Sequence, residues 1–394
     1  MKKSFLIKYI GLCYFICACT MFCASSVLFC SNAVPAKIPV YIIEHGQQKC
    51  VPKKHVLVVF IHGTIIPWIP NIYAYQPFGC DGLHDISYDP KYIRSHQAAF
   101  VSALLYERMC DFIVSDVETS YSFCTFSWNG RLSARQRARS ADNLYHALIQ
   151  KIKDLRAKHN DKDVEVYAFG HSHGGNVLLN LPASEQKFGK NLIIDKAVLL
   201  GTPVQSKTEK FVYSPIFKDV YSFFSYGDWV QVLDVMSSPD ASSRRRFDSY
   251  KKLCGDKKNN NKNSNNDMGP HVKQISIKID GISPRHNELW CFGGDGNYMY
   301  RDDLLISPLP VFIFMPIILD FIDRYMGSAT LMQLKINQQK TSYRLSCTDR
   351  RKFPRKYKDC YCTVGFDDIM GDFLGDSMVP EFRAAFHLVG LDLN

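Results

Sequence analysis

From about Ile38 onward, short continuous apolar runs alternate with stretches whose apolar residues recur every three or four positions. A strand buried on both faces gives the first pattern, and a helix lying on a sheet gives the second. The alternation predicts an α/β fold with a mostly parallel twisted sheet and helices on both faces. Strands are expected at 40–43, 56–61, 122–126, 164–169, 196–200, 220–226 and 272–280. The strongest helix pattern covers 133–158. It opens on a Ser133/Gln136 capping box and carries Ala138, Ala141, Leu144, Tyr145, Leu148, Ile149, Ile152 and Leu155 along one side. A second helix is expected over 93–109.

The junction between the run Val164-Glu165-Val166-Tyr167 and the run Val177-Leu178-Leu179 reads Ala168-Phe169-Gly170-His171-Ser172-His173-Gly174-Gly175-Asn176. A serine between glycines at a strand-to-helix turn is held at strained backbone angles with its hydroxyl above the sheet edge. Side chains at Gly170 or Gly174 would collide as strand and helix close on one another.

A serine hydroxyl is a weak nucleophile at neutral pH. It needs a base, and the base needs an acid to fix its tautomer and stabilise its charged form. On such a sheet the order is serine, acid, histidine, each on a loop after a strand. Asp228 follows Gly227 at the end of the 220–226 strand, with Asp234 as the alternative acid. His286 follows the 272–280 strand, whereas His271 precedes it and His387 lies in the tail. Two backbone donors should meet the oxyanion. One is the amide of His173, the residue after the serine; the other is the amide of Thr64, or else Ile65, in the loop His62-Gly63-Thr64-Ile65. The positions of His62, His171 and His173 in these loops account for them without a metal, and Cys360-x-Cys362 is too tight for a zinc knuckle. No metal and no cofactor are expected.

These pieces, with Phe126-Ser127-Trp128-Asn129-Gly130 before the long helix, Leu200-Gly201-Thr202-Pro203, Tyr226-Gly227-Asp228 and Arg285-His286-Asn287-Glu288-Leu289, resemble the α/β-hydrolase superfamily, especially its bacterial lipase- and esterase-like members. The likeness runs over about 38–327. It implies a core of about eight strands, with Ser172 as nucleophile, His286 as base and acid, and Asp228 as the orienting acid.

Composition adds the surroundings. The chain has 394 residues, 46% hydrophobic and 22% charged, enough for a large core, and a formal charge of +10. Lys2, Lys3 and Lys8 precede an uncharged stretch from Tyr9 to Cys30 and the small residues Ser31-Asn32-Ala33. That is a secretory leader pattern over 1–33, long enough to serve as an uncleaved anchor. Five of the 14 cysteines fall in this leader and nine, an odd number, follow it. The catalytic domain is expected at 34–327, interrupted by a Lys/Asn-rich loop at 256–267, with an extension at 328–394 of unassigned role. Leu304 to Ile322 is apolar but broken by Pro308, Pro310 and Pro316, so a buried helix is expected there rather than a membrane span. The block Arg350, Arg351, Lys352, Arg355, Lys356 and Lys358 is a solvated face or a site for lipid headgroups.

The segment after residue 64 holds Ile65, Ile66, Pro67, Trp68, Ile69, Tyr73, Tyr75 and Phe78, an apolar rim suited to an acyl chain. The reading that follows is an exported serine hydrolase of carboxylic esters, with a lipid or acyl-ester substrate. A membrane surface is an expected partner and nucleic acid is not. Thioesterase, amidase or acyltransferase chemistry on the same residues, and a non-catalytic membrane-associated binding protein on the same fold, are the alternatives.

Overall fold

The computed structural model describes residues 54–64, 82–86, 97–110, 119–159, 163–232, 243–254, 269–291, 309–327, 329–339, 342–349 and 360–365. The leader, the expected strand at 40–43, the apolar rim from Ile65, Asp234, the 256–267 loop, the 350–358 basic block and His387 lie outside them.

Among the described residues ten strands form one sheet. They are β1 (Lys54–Ile61), β2 (Gly82–Asp85), β3 (Thr119–Ser127), β4 (Val164–His171), β5 (Ile194–Leu200), β6 (Phe217–Phe224), β7 (His271–Ile279), β8 (Leu331–Gln339), β9 (Ser342–Asp349) and β10 (Cys360–Gly365). Their spatial order is β10-β9-β8-β7-β6-β5-β4-β1-β3-β2. The seven from β8 to β3 run parallel, while β2 at one edge and the β9–β10 pair at the other are antiparallel additions. This is the α/β-hydrolase fold. Strand order reverses between β1 and β4, and in such sheets the crevice at that point, outside the carboxyl ends, is where ligands sit.

The helices of six residues or more among the described residues are α1 (Gln97–Cys110), α2 (Ala134–Lys158), α3 (His173–Leu178), α4 (Leu181–Phe188) and α5 (Met315–Met326). β1 shows why its run is continuous rather than alternating. Val56, Val58 and Phe60 enter one core with Val101 and Leu105 of α1 and Ile318 of α5; Leu57, Val59 and Ile61 enter the other with Leu144 and Leu148 of α2 and Val177 of α3. Both faces of the strand are covered.

The long helix begins as its sequence predicts, with the Gln136 amide donating to Ser133 Oγ at 3.4 Å. The second half of the capping box is not built, because the Gln136 side chain accepts from Asn129 Nδ2 instead. Ala138 is exposed, and Arg137 is buried in its place with Nη2 donating to Gln205 Oε1. The apolar, proline-broken segment forms a 3-10 turn (Val311–Phe314) after Pro310 and then α5, whose Met315, Ile317, Ile318, Leu319, Phe321 and Ile322 are buried. Among the described residues no helix is long and apolar enough to cross a membrane.

The sheet does not stop at residue 327. β8, β9 and β10 carry it past the expected start of the extension, raising the strand count from about eight to ten. In β8, Met332, Leu334 and Ile336 are buried while Leu331 and Gln333 are less so and Lys335 is exposed. That period-two pattern belongs to a strand with one covered face, and a search for continuous apolar runs passes over it.

α5 is tied to the sheet by Asp323. Its Oδ1 accepts from Lys273 Nζ (2.7 Å) and the Tyr221 hydroxyl (2.5 Å), and its Oδ2 from Lys196 Nζ (2.7 Å). Burial pushes this carboxyl up, but the Lys196 charge and hydrogen bonds from Lys196, Lys273 and Tyr221 outweigh it and hold the group below the usual carboxylate range. Asp323→Ala would leave the buried Lys273 ammonium facing a phenol, with Asp219 Oδ1 at 4.0 Å as its remaining carboxylate. It is expected to cost about 3 kcal/mol of stability, read from the denaturation midpoint; an unchanged midpoint would show the network to be energetically idle.

Candidate active site

Ser172 sits at φ 51°, ψ −126°, a left-handed conformation that a residue with a side chain adopts only where its surroundings impose it. Its surroundings do so by close approach. A Cβ on Gly170 would lie 2.6 Å from Gly175 Cα, and one on Gly174 would lie 2.4 Å from both Ile61 O and His62 O. β4, α3 and the end of β1 are packed so closely that only glycine fits. The Ser172 amide donates to Leu200 O at 2.9 Å, fastening the turn to the end of β5.

The acid and the histidine meet. His286 Nδ1 donates to Asp228 Oδ2 at 2.8 Å, with the carboxylate fully buried and the imidazole nearly so. The bond places the proton on Nδ1 and leaves Nε2 as the basic atom of the ring. Asp228 Oδ1 accepts from the Gln231 amide at 3.2 Å, so the carboxylate closes a turn and orients the ring at once.

Gly201 and His171, chain neighbours of Leu200 and Ser172, lie against this pair. Gly201 follows Leu200 at φ +60°; a Cβ there would fall 3.0 Å from Asp228 Oδ2 and 3.2 Å from His286 Nδ1. The ring of His171 lies 4.6 Å from that of His286, stacks on Trp290 at 5.6 Å, and has Nε2 3.2 Å from His286 O. All of these groups lie at or beyond the carboxyl ends of β4, β5, β6 and β7. His271, by contrast, is exposed at the start of β7 beside Asp219, at the other end of the strand.

The loop after β1 lies against the serine, since a Cβ on Gly63 would sit 2.8 Å from Ser172 Cβ. Thr64 continues that loop, and the alternative Ile65 lies outside the described residues. His62 pins it. Nδ1 donates to Gly63 O (2.8 Å), Nε2 accepts from the Trp128 amide (3.2 Å), and Trp128 Nε1 donates to His62 O (2.8 Å), with the two rings stacked. The sequence marks Trp128 only as part of the stretch before the long helix; its pairing with His62 is a contact between residues 66 apart that no local pattern announces. His173 opens α3, buried, with its Nδ1 3.4 Å from Asn176 Nδ2. Among the described residues no cluster of three or more His, Cys, Asp or Glu could hold a metal ion.

Burial pushes His62 down from 6.5 to about 4, against the opposing hydrogen bond to Gly63 O. Burial, and then the neighbouring His286, also hold His171 well below its usual value. Both are therefore neutral in the folded chain where the unfolded chain already binds protons. Stability is full above pH 6.5 and falls as pH drops toward 4. His62 alone accounts for a loss of about 3 kcal/mol by pH 4. Denaturant midpoints measured from pH 7.5 down to 4 should fall steadily below 6.5; a flat profile would mean that these rings are not held neutral.

No family model matches the chain, and no curated protein matches it. Among solved structures it is similar to the lin2722 gene product of Listeria innocua (11% identity, 43% of this chain and 70% of that one, TM-score 0.24). It is also similar to the Bacillus licheniformis lipase BlEst2 in mature form (13%, 73% and 94%, 0.22). A third likeness is to a soluble variant of monoglyceride lipase from Saccharomyces cerevisiae in complex with a substrate analog (14%, 78% and 99%, 0.24). At such identities and scores neither activity nor substrate carries over to this chain.

Proposed function

We propose that this chain is a serine hydrolase that cleaves carboxylic esters, with lipid or other acyl esters as substrates, through an acyl-enzyme on Ser172. The observation that carries this reading is the 2.8 Å bond from His286 to buried Asp228, beside a serine held at φ 51°. Ser172 Oγ attacks the ester carbonyl carbon while His286 Nε2 takes its proton, and Asp228 stabilises the resulting imidazolium. As the tetrahedral intermediate collapses, the carbon–oxygen bond to the alcohol breaks and His286 returns the proton to that alcohol. Water then attacks the acyl-enzyme with His286 again as base, and the carboxylic acid leaves with the serine restored. The Thr64 and His173 amides are the donors to the oxyanion. No cofactor enters any step.

The acyl preference is supported by Leu132, Tyr226 and Trp229, which are exposed on loops after β3 and β6, at the same edge as Ser172. Export through the leader and contact with a membrane surface through the 350–358 basic block belong to the same proposal and rest on the sequence pattern.

Hydrolysis of p-nitrophenyl esters from acetate to palmitate tests it, with a thioester and an anilide of the same acyl groups alongside. Turnover is expected to rise with acyl length and to favour the oxygen ester. Failure to turn over any ester would overturn the reading, and preference for the thioester or anilide would move it to that chemistry.

A further inference from the structure

We propose that Arg245 is a positioning residue for the acid of the triad: its guanidinium clamps the loop that carries Asp228. This inference rests on the hydrolase reading above, which gives Asp228 its task.

Asp228 lies in a short turn between the end of β6 and residue 232, and β6 pairing stops at Phe224, four residues before it. Past that point the sheet no longer fixes the chain. Arg245 takes over, coming from a segment distant in sequence. Its Nη2 donates to Asp228 O at 2.8 Å and its Nε donates to Ser225 O at 3.0 Å. One rigid planar fork thus holds the carbonyl of the acid itself and the carbonyl three residues earlier, which sets the spacing of the turn. Around the fork, Ser225 Oγ accepts from the Gly227 amide (3.1 Å) and Gln231 Nε2 donates to Thr202 O (3.1 Å).

Two further features serve the same clamp. The guanidinium carbon lies 5.9 Å from the centre of the Tyr226 ring and 5.8 Å from that of Trp229. Both rings are exposed, Trp229 to 65%. As cover over a guanidinium they shelter its two hydrogen bonds from competing water and add cation–π attraction. Arg245 is itself set in place by its neighbour. The Arg244 guanidinium pairs with buried Glu209, Arg244 and Val204 exchange both backbone hydrogen bonds, and Glu209 also accepts from the Asp248 amide at 2.7 Å. Segment 243–248 is therefore a rigid mount attached to the loop after β5, not a strand of the sheet.

The consequence for chemistry is geometric. His286 Nδ1 meets Asp228 Oδ2 at 2.8 Å only while the turn keeps its spacing. A lysine at position 245 supplies one point donor in place of the fork, and methionine supplies none.

Two readouts of Arg245→Met and Arg245→Lys test this, one of which needs no substrate. The low-field proton NMR signal of His286 Nδ1–H, assigned by its loss in His286→Gln, is expected in the wild type. It should weaken or vanish in Arg245→Met as the bond opens to solvent, and be intermediate in Arg245→Lys. In parallel, kcat for an ester should fall roughly 10- to 100-fold in Arg245→Met with KM little changed, the scale expected for a misplacement of about 1 Å. In an Asp228→Asn background the same substitution should cost less than about 3-fold, because the clamp acts only through that carboxylate. An unchanged proton signal overturns the proposal, and so does an equal loss of kcat in the two backgrounds. If the wild type hydrolyses no ester, the hydrolase reading fails while the proton signal still decides the clamp.

Discussion

Ser172→Ala is expected to lower kcat for ester hydrolysis by about 10^4-fold or more while leaving the thermal midpoint near that of the wild type. Both halves follow from the position. The substitution removes one oxygen from a nearly buried site and keeps the Cβ, so the strained φ of 51° and the packing around it stay as they were. What disappears is the atom proposed to form the covalent bond. Residual rate would come from substrate binding and the two backbone donors alone. Circular dichroism and a melting curve, taken with the kinetics, separate loss of chemistry from loss of fold. A variant that folds and still turns over at more than a few per cent of the wild-type rate would remove Ser172 from the mechanism.

The second large effect is structural. Gly174→Ala would drive a methyl to 2.4 Å from the carbonyl oxygens of Ile61 and His62. Neither oxygen can retreat: Ile61 is paired in the sheet on both sides, and His62 O accepts from Trp128 Nε1. The overlap must be relieved by moving α3 away from β1, which opens the turn at Ser172. A loss of at least about 3 kcal/mol is expected, or about 4 °C in Tm for a chain of this size, with activity lost as well. Gly189→Ala is the control. It lies at φ +59° with nothing within 4 Å of an added Cβ, so it should cost only about 1 kcal/mol of backbone strain. Equal, mild effects of the two substitutions would contradict the close approach of β1 and α3.

The fold and the site were legible in the chain to different depths. The central strands announce themselves because both of their faces are buried, and β1, β4, β5, β6 and β7 were all expected within three residues of where they end. β2, β8, β9 and β10 were not, because edge and one-sided strands mix polar with apolar positions and lack a continuous run. Ser172, Asp228 and His286 could be placed because each follows a strand end, and strand ends are what such a reading locates. The supporting contacts could not. His62 with Trp128, Asp323 with Lys196 and Lys273, and Arg245 with the Asp228 turn join residues from 17 to 127 positions apart. Their partners are chosen by the folded geometry, and nothing in the local sequence marks an arginine at 245 as different from those at 244 and 246.

The central claim is that Ser172 is made nucleophilic by His286. Its most direct test is reaction of the wild type with a fluorophosphonate, followed by mass mapping of the adduct and measurement of the labelling rate in His286→Ala. The account predicts one adduct, on Ser172, formed about 10^3-fold or more slowly without the imidazole. An adduct on another residue, or an unchanged rate in His286→Ala, would contradict it.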